Sequence, residues 1–242
     1  YLLVFTALLL AAGNLGDRWG RRRMLAIGLV AFGATSALAG SAPSSDWLIV
    51  SRALMGVGAA LIFPATLAII TNAFEQPKER AAAIGIWSAM AGVAVASGPI
   101  VGGWLLQHFW WGSVFYVNVP VTALAVLGVV VLVPESKDAH TPRFDAIGLV
   151  LSIVAVFTLV YTIIEASGWG WGSGRTLGGF ALSVVLLAAF TAWELRSDHP
   201  MLPVRIFSDL RFSAASVAIT TAFFALFGFI FLVTQYFQLV RG

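Results

Sequence analysis

Apolar and polar positions along this chain alternate in whole segments, not residue by residue. Seven runs, at 24–42, 48–71, 81–106, 114–133, 146–164, 177–193 and 212–233, are almost wholly apolar. Each approaches or exceeds the ~20 residues that a helix needs to cross a bilayer. An opening run at 1–12 is apolar but short of that length. The chain is therefore expected to begin partway through a helix and to be a piece of a longer protein. Transmembrane strands run only about 9–11 residues and alternate in polarity, whereas a helix satisfies every backbone group within its own segment. The pattern predicts an all-α, polytopic transmembrane helix bundle.

Charge gives this pattern a direction. Of 14 Lys and Arg residues, 11 fall in one alternating set of connections: Arg18, Arg21, Arg22, Arg23, Lys78, Arg80, Lys137, Arg143, Arg196, Arg205 and Arg211. The opposite set holds Arg175 and Arg241, and Arg52 lies inside a span. Positive loops stay cytoplasmic, so the first set faces the cytoplasm. The connections 43–46 and 107–113 are short and predict tight antiparallel pairs. The polar stretch 134–145, with Pro134 and Pro142 as breakers, reads as a boundary. Residues 194–211 mix Pro200 and Pro203 with apolar residues, which predicts a path along the cytoplasmic membrane surface. The run 168–174 (GWGWGSG) places two tryptophans at the outer interface.

Composition changes the solvent, not the pattern. Hydrophobic residues make up 60% of the chain and charged ones 10%, with a mean hydropathy of +0.93. Soluble domains carry about 45–50% and about 25% respectively, so lipid must cover the excess. A net charge of +3 and a pI of 9.7 could suit nucleic acid. The charges nevertheless sit between apolar runs and form no basic stripe with interleaved aromatics, so no nucleic-acid partner is expected. There is no cysteine, and His108, His140 and His199 are scattered over different connections, so no metal site is expected. Neither a P-loop nor a nucleophile elbow is present, and GWGWGSG fails the dinucleotide fingerprint. An enzyme is not expected, and no cofactor.

The densest chemistry is Gly13-Asn-Leu15-Gly-Asp17-Arg18-Trp-Gly20-Arg21-Arg22-Arg23. One acidic residue among four arginines at a cytoplasmic turn can pair with an arginine or with a helix N-terminus. Gly13 and Gly20 are expected to let the backbone turn closely. Taken alone, the arginines read equally as a solvated positive-inside loop. Arg52 lies within Leu48-x-x-x-Arg52-x-x-Met55-Gly56-x-Gly58-Ala59-Ala60. It is either a functional charge at membrane depth or a side chain snorkelling to the outer headgroups. In Ala94-Val-Ala-Ser97-Gly98-Pro99-Ile-Val-Gly102-Gly103, the spacing of Gly98 and Gly102 would admit a neighbouring helix, and Pro99 would bend its own. Of 11 acidic residues, Glu165 has the one claim to membrane depth, and an interfacial carboxylate is the plainer reading.

The Gly13–Arg23 pattern resembles the signature loop of the major facilitator superfamily, matching it at Gly13, Leu15, Asp17, Arg18, Gly20, Arg21 and Arg22. The resemblance implies a latch that closes the cytoplasmic side during transport. Arg52 matches the arginine of the family's fourth-helix motif, associated with proton transfer, although Met55 stands where Gln is usual. The Gly98, Pro99, Gly102 and Gly103 segment is similar to the fifth-helix antiporter motif, with Ala94 in place of the usual Gly. Phe115, Asn118 and Pro120 resemble the start of the sixth helix in fourteen-helix drug:proton antiporters of the QacA/EmrB type. The chain would then hold helices two to nine of fourteen. Residues 1–133 would be most of the N-terminal bundle, 134–211 two inserted helices with their flanking loops, and 212–242 the first helix of the C-terminal bundle.

The resemblance implies a monomeric secondary transporter driven by the proton gradient, whose partners are protons, the lipid bilayer and an amphipathic or cationic drug. The coupling carboxylates are expected outside this chain. A facilitator for a sugar, metabolite or siderophore would share the same latch, and a non-transporting membrane protein is the remote alternative.

Overall fold

The computed structural model describes residues 1–137, 145–198, 200–237 and 239. Arg143, Pro142, His140, His199 and Arg241 therefore lie outside the described residues. Nine α-helices and one 3-10 turn are present among the described residues, with no strand. In chain order they are α1 (Leu2–Trp19), α2 (Arg21–Gly40), α3 (Ser45–Ala73), α4 (Pro77–His108), α5 (Ser113–Tyr116), α6 (Asn118–Leu132), α7 (Ala146–Trp169), α8 (Gly174–Arg196), the turn Val204–Ser208, and α9 (Leu210–Tyr236). Seven spans are long and apolar enough to cross a membrane, with α5 and α6 counting as one. They coincide with the seven apolar runs, so this is a multi-pass membrane bundle.

The break between α5 and α6 has a local cause. Pro120 has no N–H to offer the carbonyl four residues back, at Tyr116. Val117 keeps helical angles (φ −58°, ψ −27°), so the two pieces form one span. Ser44 caps α3 by accepting the Trp47 N–H at 3.2 Å, and Asp145 caps α7 by accepting the Gly148 N–H at 2.8 Å.

α1, α2, α3 and α6 form the packed centre. Leu25 and Leu29 of α2 meet Ala65 of α3, and Ile62, Ile69, Ala125, Val126 and Val129 close around them. Between helices in lipid, small residues at the interface allow close van der Waals approach. A Cβ placed on Gly58 would lie 2.8 Å from the Phe32 nitrogen and 3.0 Å from the Gly28 carbonyl oxygen. Either glycine's replacement would push α2 and α3 apart.

α7 and α8 pair through a turn at Gly170 (φ 87°), and α7 packs against α1. Thr176, fully buried, donates to the Gly170 carbonyl at 2.9 Å and pins that turn. By contrast, among the described elements α9 touches only the Val204–Ser208 turn. The short 107–113 connection does not produce the packed pair expected of it. Among the described elements α4 meets only α3 and α5, and it buries no residue.

Candidate functional site

The C-terminal ends of α1 and α6 and the N-terminal end of α2 meet at the Gly13–Arg23 segment. The structure corrects the expected loop. α1 stays helical through Trp19, and Gly20 alone makes the turn, with φ 106° and ψ 127°. That backbone conformation is closed to residues with a side chain. Gly13 is an interior helical residue, and a Cβ there would make an ordinary 3.7 Å contact with Pro64 of α3. One glycine suffices because α1 and α2 abut with a single residue between them.

Across this break Asp17 and Arg21 form an ion pair. Arg21 Nη2 and Nε donate to Asp17 Oδ1 at 2.7 and 2.9 Å. Arg21 is largely buried and Asp17 is 42% exposed. The sequence left open whether Asp17 would serve an arginine or a helix end, and the geometry selects the arginine.

The helix end is served by a residue that sequence reasoning did not single out. Glu135, just beyond α6, accepts the Arg22 backbone N–H at 3.2 Å and pairs with Arg23 Nε at 3.5 Å. A carboxylate at a helix N-terminus answers both the orphan donors and the positive dipole end. Arg21 N–H donates to the Ser136 carbonyl at 2.8 Å. In return, Arg22 Nη2 reaches the Val130 carbonyl in the last turn of α6 at 2.9 Å, satisfying an acceptor at a helix C-terminus. α2 and α6 thus cap one another. The arrangement is a charged clasp, held within α1–α2 by Asp17 and between α2 and α6 by Glu135.

The Major Facilitator Superfamily profile matches residues 1–242. The chain belongs to the major facilitator superfamily. It is 43% identical over its whole length to the multidrug efflux pump LfrA of Mycolicibacterium smegmatis, covering 48% of that protein. It is 40% identical over its whole length to the tetracenomycin C resistance and export protein of Streptomyces glaucescens, covering 45%. The methyl viologen resistance protein SmvA of Salmonella typhimurium is 37% identical, again over the whole chain and 49% of the relative. The chain therefore spans about half the length of the curated relatives it matches. Major facilitators are membrane transporters, not enzymes.

Leu15 and Arg18 aside, the other predicted residues of this major facilitator chain lie away from the clasp. Leu15 and Arg18 sit on α1, in the stretch that runs up to it. Arg52 is exposed in the third turn of α3. Behind it Met55 is buried, and its sulfur accepts the Ser36 hydroxyl at 3.9 Å. Asn118 Nδ2 donates to the same Ser36 Oγ at 3.0 Å. The chain Asn118–Ser36–Met55 ties α6 to α2 and α3 with polar contacts inside an apolar core. Phe115 packs edge-on against Trp111 at 6.2 Å.

Gly98, Pro99, Gly102 and Gly103 lie within an unbroken α4. Nothing among the described residues comes within 4 Å of a Cβ built on these three glycines, so the close neighbour anticipated for them is not seen here. Glu165 is partly exposed near the C-terminal end of α7, one turn before Trp169. No group of three or more His, Asp or Glu among the described residues could hold a metal ion.

Proposed function

We propose that the full-length protein is a proton-driven exporter of small amphipathic or cationic drugs, working by alternating access. The clasp at Gly20 carries this reading. It joins three cytoplasmic helix ends through ion pairs that can break and re-form, as a gate between two conformations requires. The relatives' names, with export or resistance in each of several, support drugs as the cargo over sugars or siderophores. The paired insert α7–α8 supports the fourteen-helix branch, with this chain as helices two to nine. Arg52 would assist proton transfer, Gly98 to Gly103 would pack against a moving helix, and substrate would bind near the midplane between two bundles. The transporter would work as a monomer and use no bound cofactor.

The test is efflux of a cationic dye, ethidium, from cells without their own pumps that express the full-length protein. Dye export should stop when a protonophore collapses the proton gradient. Asp17→Asn should abolish export while the protein still inserts in the membrane. Export that survives the protonophore would remove proton coupling, and unchanged export by Asp17→Asn would remove the latch.

A further inference from the structure

Two carboxylates meet at the cytoplasmic end of the α7–α8 pair. Glu194, placed by its sequence position at the edge of a loop, is in the last turn of α8 and only 3% exposed. Its Oε2 accepts the Leu202 N–H at 3.1 Å. Among the described residues its buried Oε1 has no hydrogen-bond partner, while the Met201 backbone N–H also faces the carboxylate. Asp145, the cap of α7, receives the Trp193 indole N–H at 2.8 Å on Oδ2. A Cβ on Gly148 would lie 2.7 Å from Asp145 Oδ2 and 2.8 Å from Glu194 Oε1. Both oxygens therefore converge on the space that this glycine leaves empty.

No ion pair from a described Lys or Arg reaches either carboxylate. The charged groups on the surrounding elements are Arg196 and, at the far end, Arg175 on α8, Asp198, Arg205 and Asp209 on the connection to α9, and Asp17 and Arg18 on α1. Glu165 is the other charge on α7, at its far end. Arg196, Asp198, Arg205 and Asp209 are all exposed, and Asp17 is bonded to Arg21. Arg143 and His199 lie outside the described residues.

A buried acceptor left unmade is costly, and two neighbouring carboxylates resist carrying two charges. A single proton resolves both, because a carboxylic acid gains an O–H donor that can face the second carboxylate. We propose that Glu194 and Asp145 form a proton-binding site at the cytoplasmic mouth of the α7–α8 pair, one proton shared between Glu194 Oε1 and Asp145 Oδ2. An open groove of about 430 Å³, lined by Leu151, Ala189, Ala192, Trp193, Arg196 and Ser197, adjoins the pair through Trp193, the donor to Asp145. The same Glu194 holds Leu202 at the start of the connection into α9. Loss of the proton sets two negative charges face to face at the point where that connection is fastened. The site is thus a cytoplasmic proton clamp on the link between the inserted pair and α9. It stands independently of the drug-export reading.

Infrared titration of the full-length transporter in lipid nanodiscs tests it without any substrate. A carboxylic-acid C=O band should be present at neutral pH, vanish in alkali, and be missing from Glu194→Gln. In Asp145→Asn, which keeps the α7 cap and the acceptor for Trp193, the band should disappear at about tenfold higher proton concentration. Identical spectra for wild type and Glu194→Gln at every pH would overturn the proposal. If Glu194→Gln fails to fold, an unshifted titration in Asp145→Asn would overturn it equally.

Discussion

Gly13 and Gly20 belong to one motif, yet the structure assigns them opposite tolerances for a methyl group. In Gly20→Ala the new Cβ must occupy a backbone at φ 106° and would sit 2.5 Å from Glu135 Oε1. The backbone strain costs about 1–3 kcal/mol. Displacing Glu135 also removes a cap worth about 1 kcal/mol. Together these amount to about 3 kcal/mol, or a shift of about a hundredfold toward an opened turn. In Gly13→Ala the methyl meets Pro64 at an ordinary 3.7 Å, and the change gains about 1 kcal/mol of helix propensity.

Hydrogen exchange of the full-length transporter reads this directly, since local opening governs the exchange of protected amides. The amides of residues 21–24 should exchange about a hundredfold faster in Gly20→Ala and at the wild-type rate or slower in Gly13→Ala. Equal behaviour of the two variants would refute the argument that Gly20 alone makes the turn.

Glu135→Ala should weaken the same clasp by about 1–2 kcal/mol, the value of a helix cap, with Glu135→Gln intermediate because it keeps an acceptor and loses the charge; exchange at Arg22 measures this. The exposed Arg23 partner should add little, so Arg23→Ala should leave that exchange near wild type. Asn118→Ala should cost about 0.6–1.5 kcal/mol by removing the donor to buried Ser36, seen as a lowered melting temperature in detergent. Gly58→Leu should cost several kcal/mol by forcing a side chain against the Phe32 backbone, and a melting temperature equal to wild type would contradict the α2–α3 packing. For Arg52→Ala, drug binding should survive while proton-driven exchange in proteoliposomes fails, and intact exchange would favour a snorkelling side chain.

The apolar runs located the spans because crossing a bilayer is a local requirement: each segment must be long and apolar by itself. The boundaries moved only at the ends, where α8 extended from 177–193 to Gly174–Arg196 and α1 carried on past residue 12 to Trp19. Asn14, Gly16 and Asp17 look like turn formers in sequence, but they can remain helical when α3 lies alongside. That Asp17 could pair with an arginine was legible, but the choice of Arg21 was not, because the four-residue spacing brings them together only once the α1–α2 break is this short.

What the sequence by itself determined is therefore everything that depends on near neighbours: helical class, span count, and the motif that marks the family. Only the tertiary structure decided that Glu135 closes the clasp 113 residues from Arg22, that Gly13 is no turn, and that Glu194 is buried against Asp145. In lipid, apolar helices pair by shape and by a few polar contacts, with no hydrophobic drive to select partners. Hydropathy along the chain therefore carries no record of which helix ends will meet, and the residues at those ends take their roles from the neighbours that packing brings.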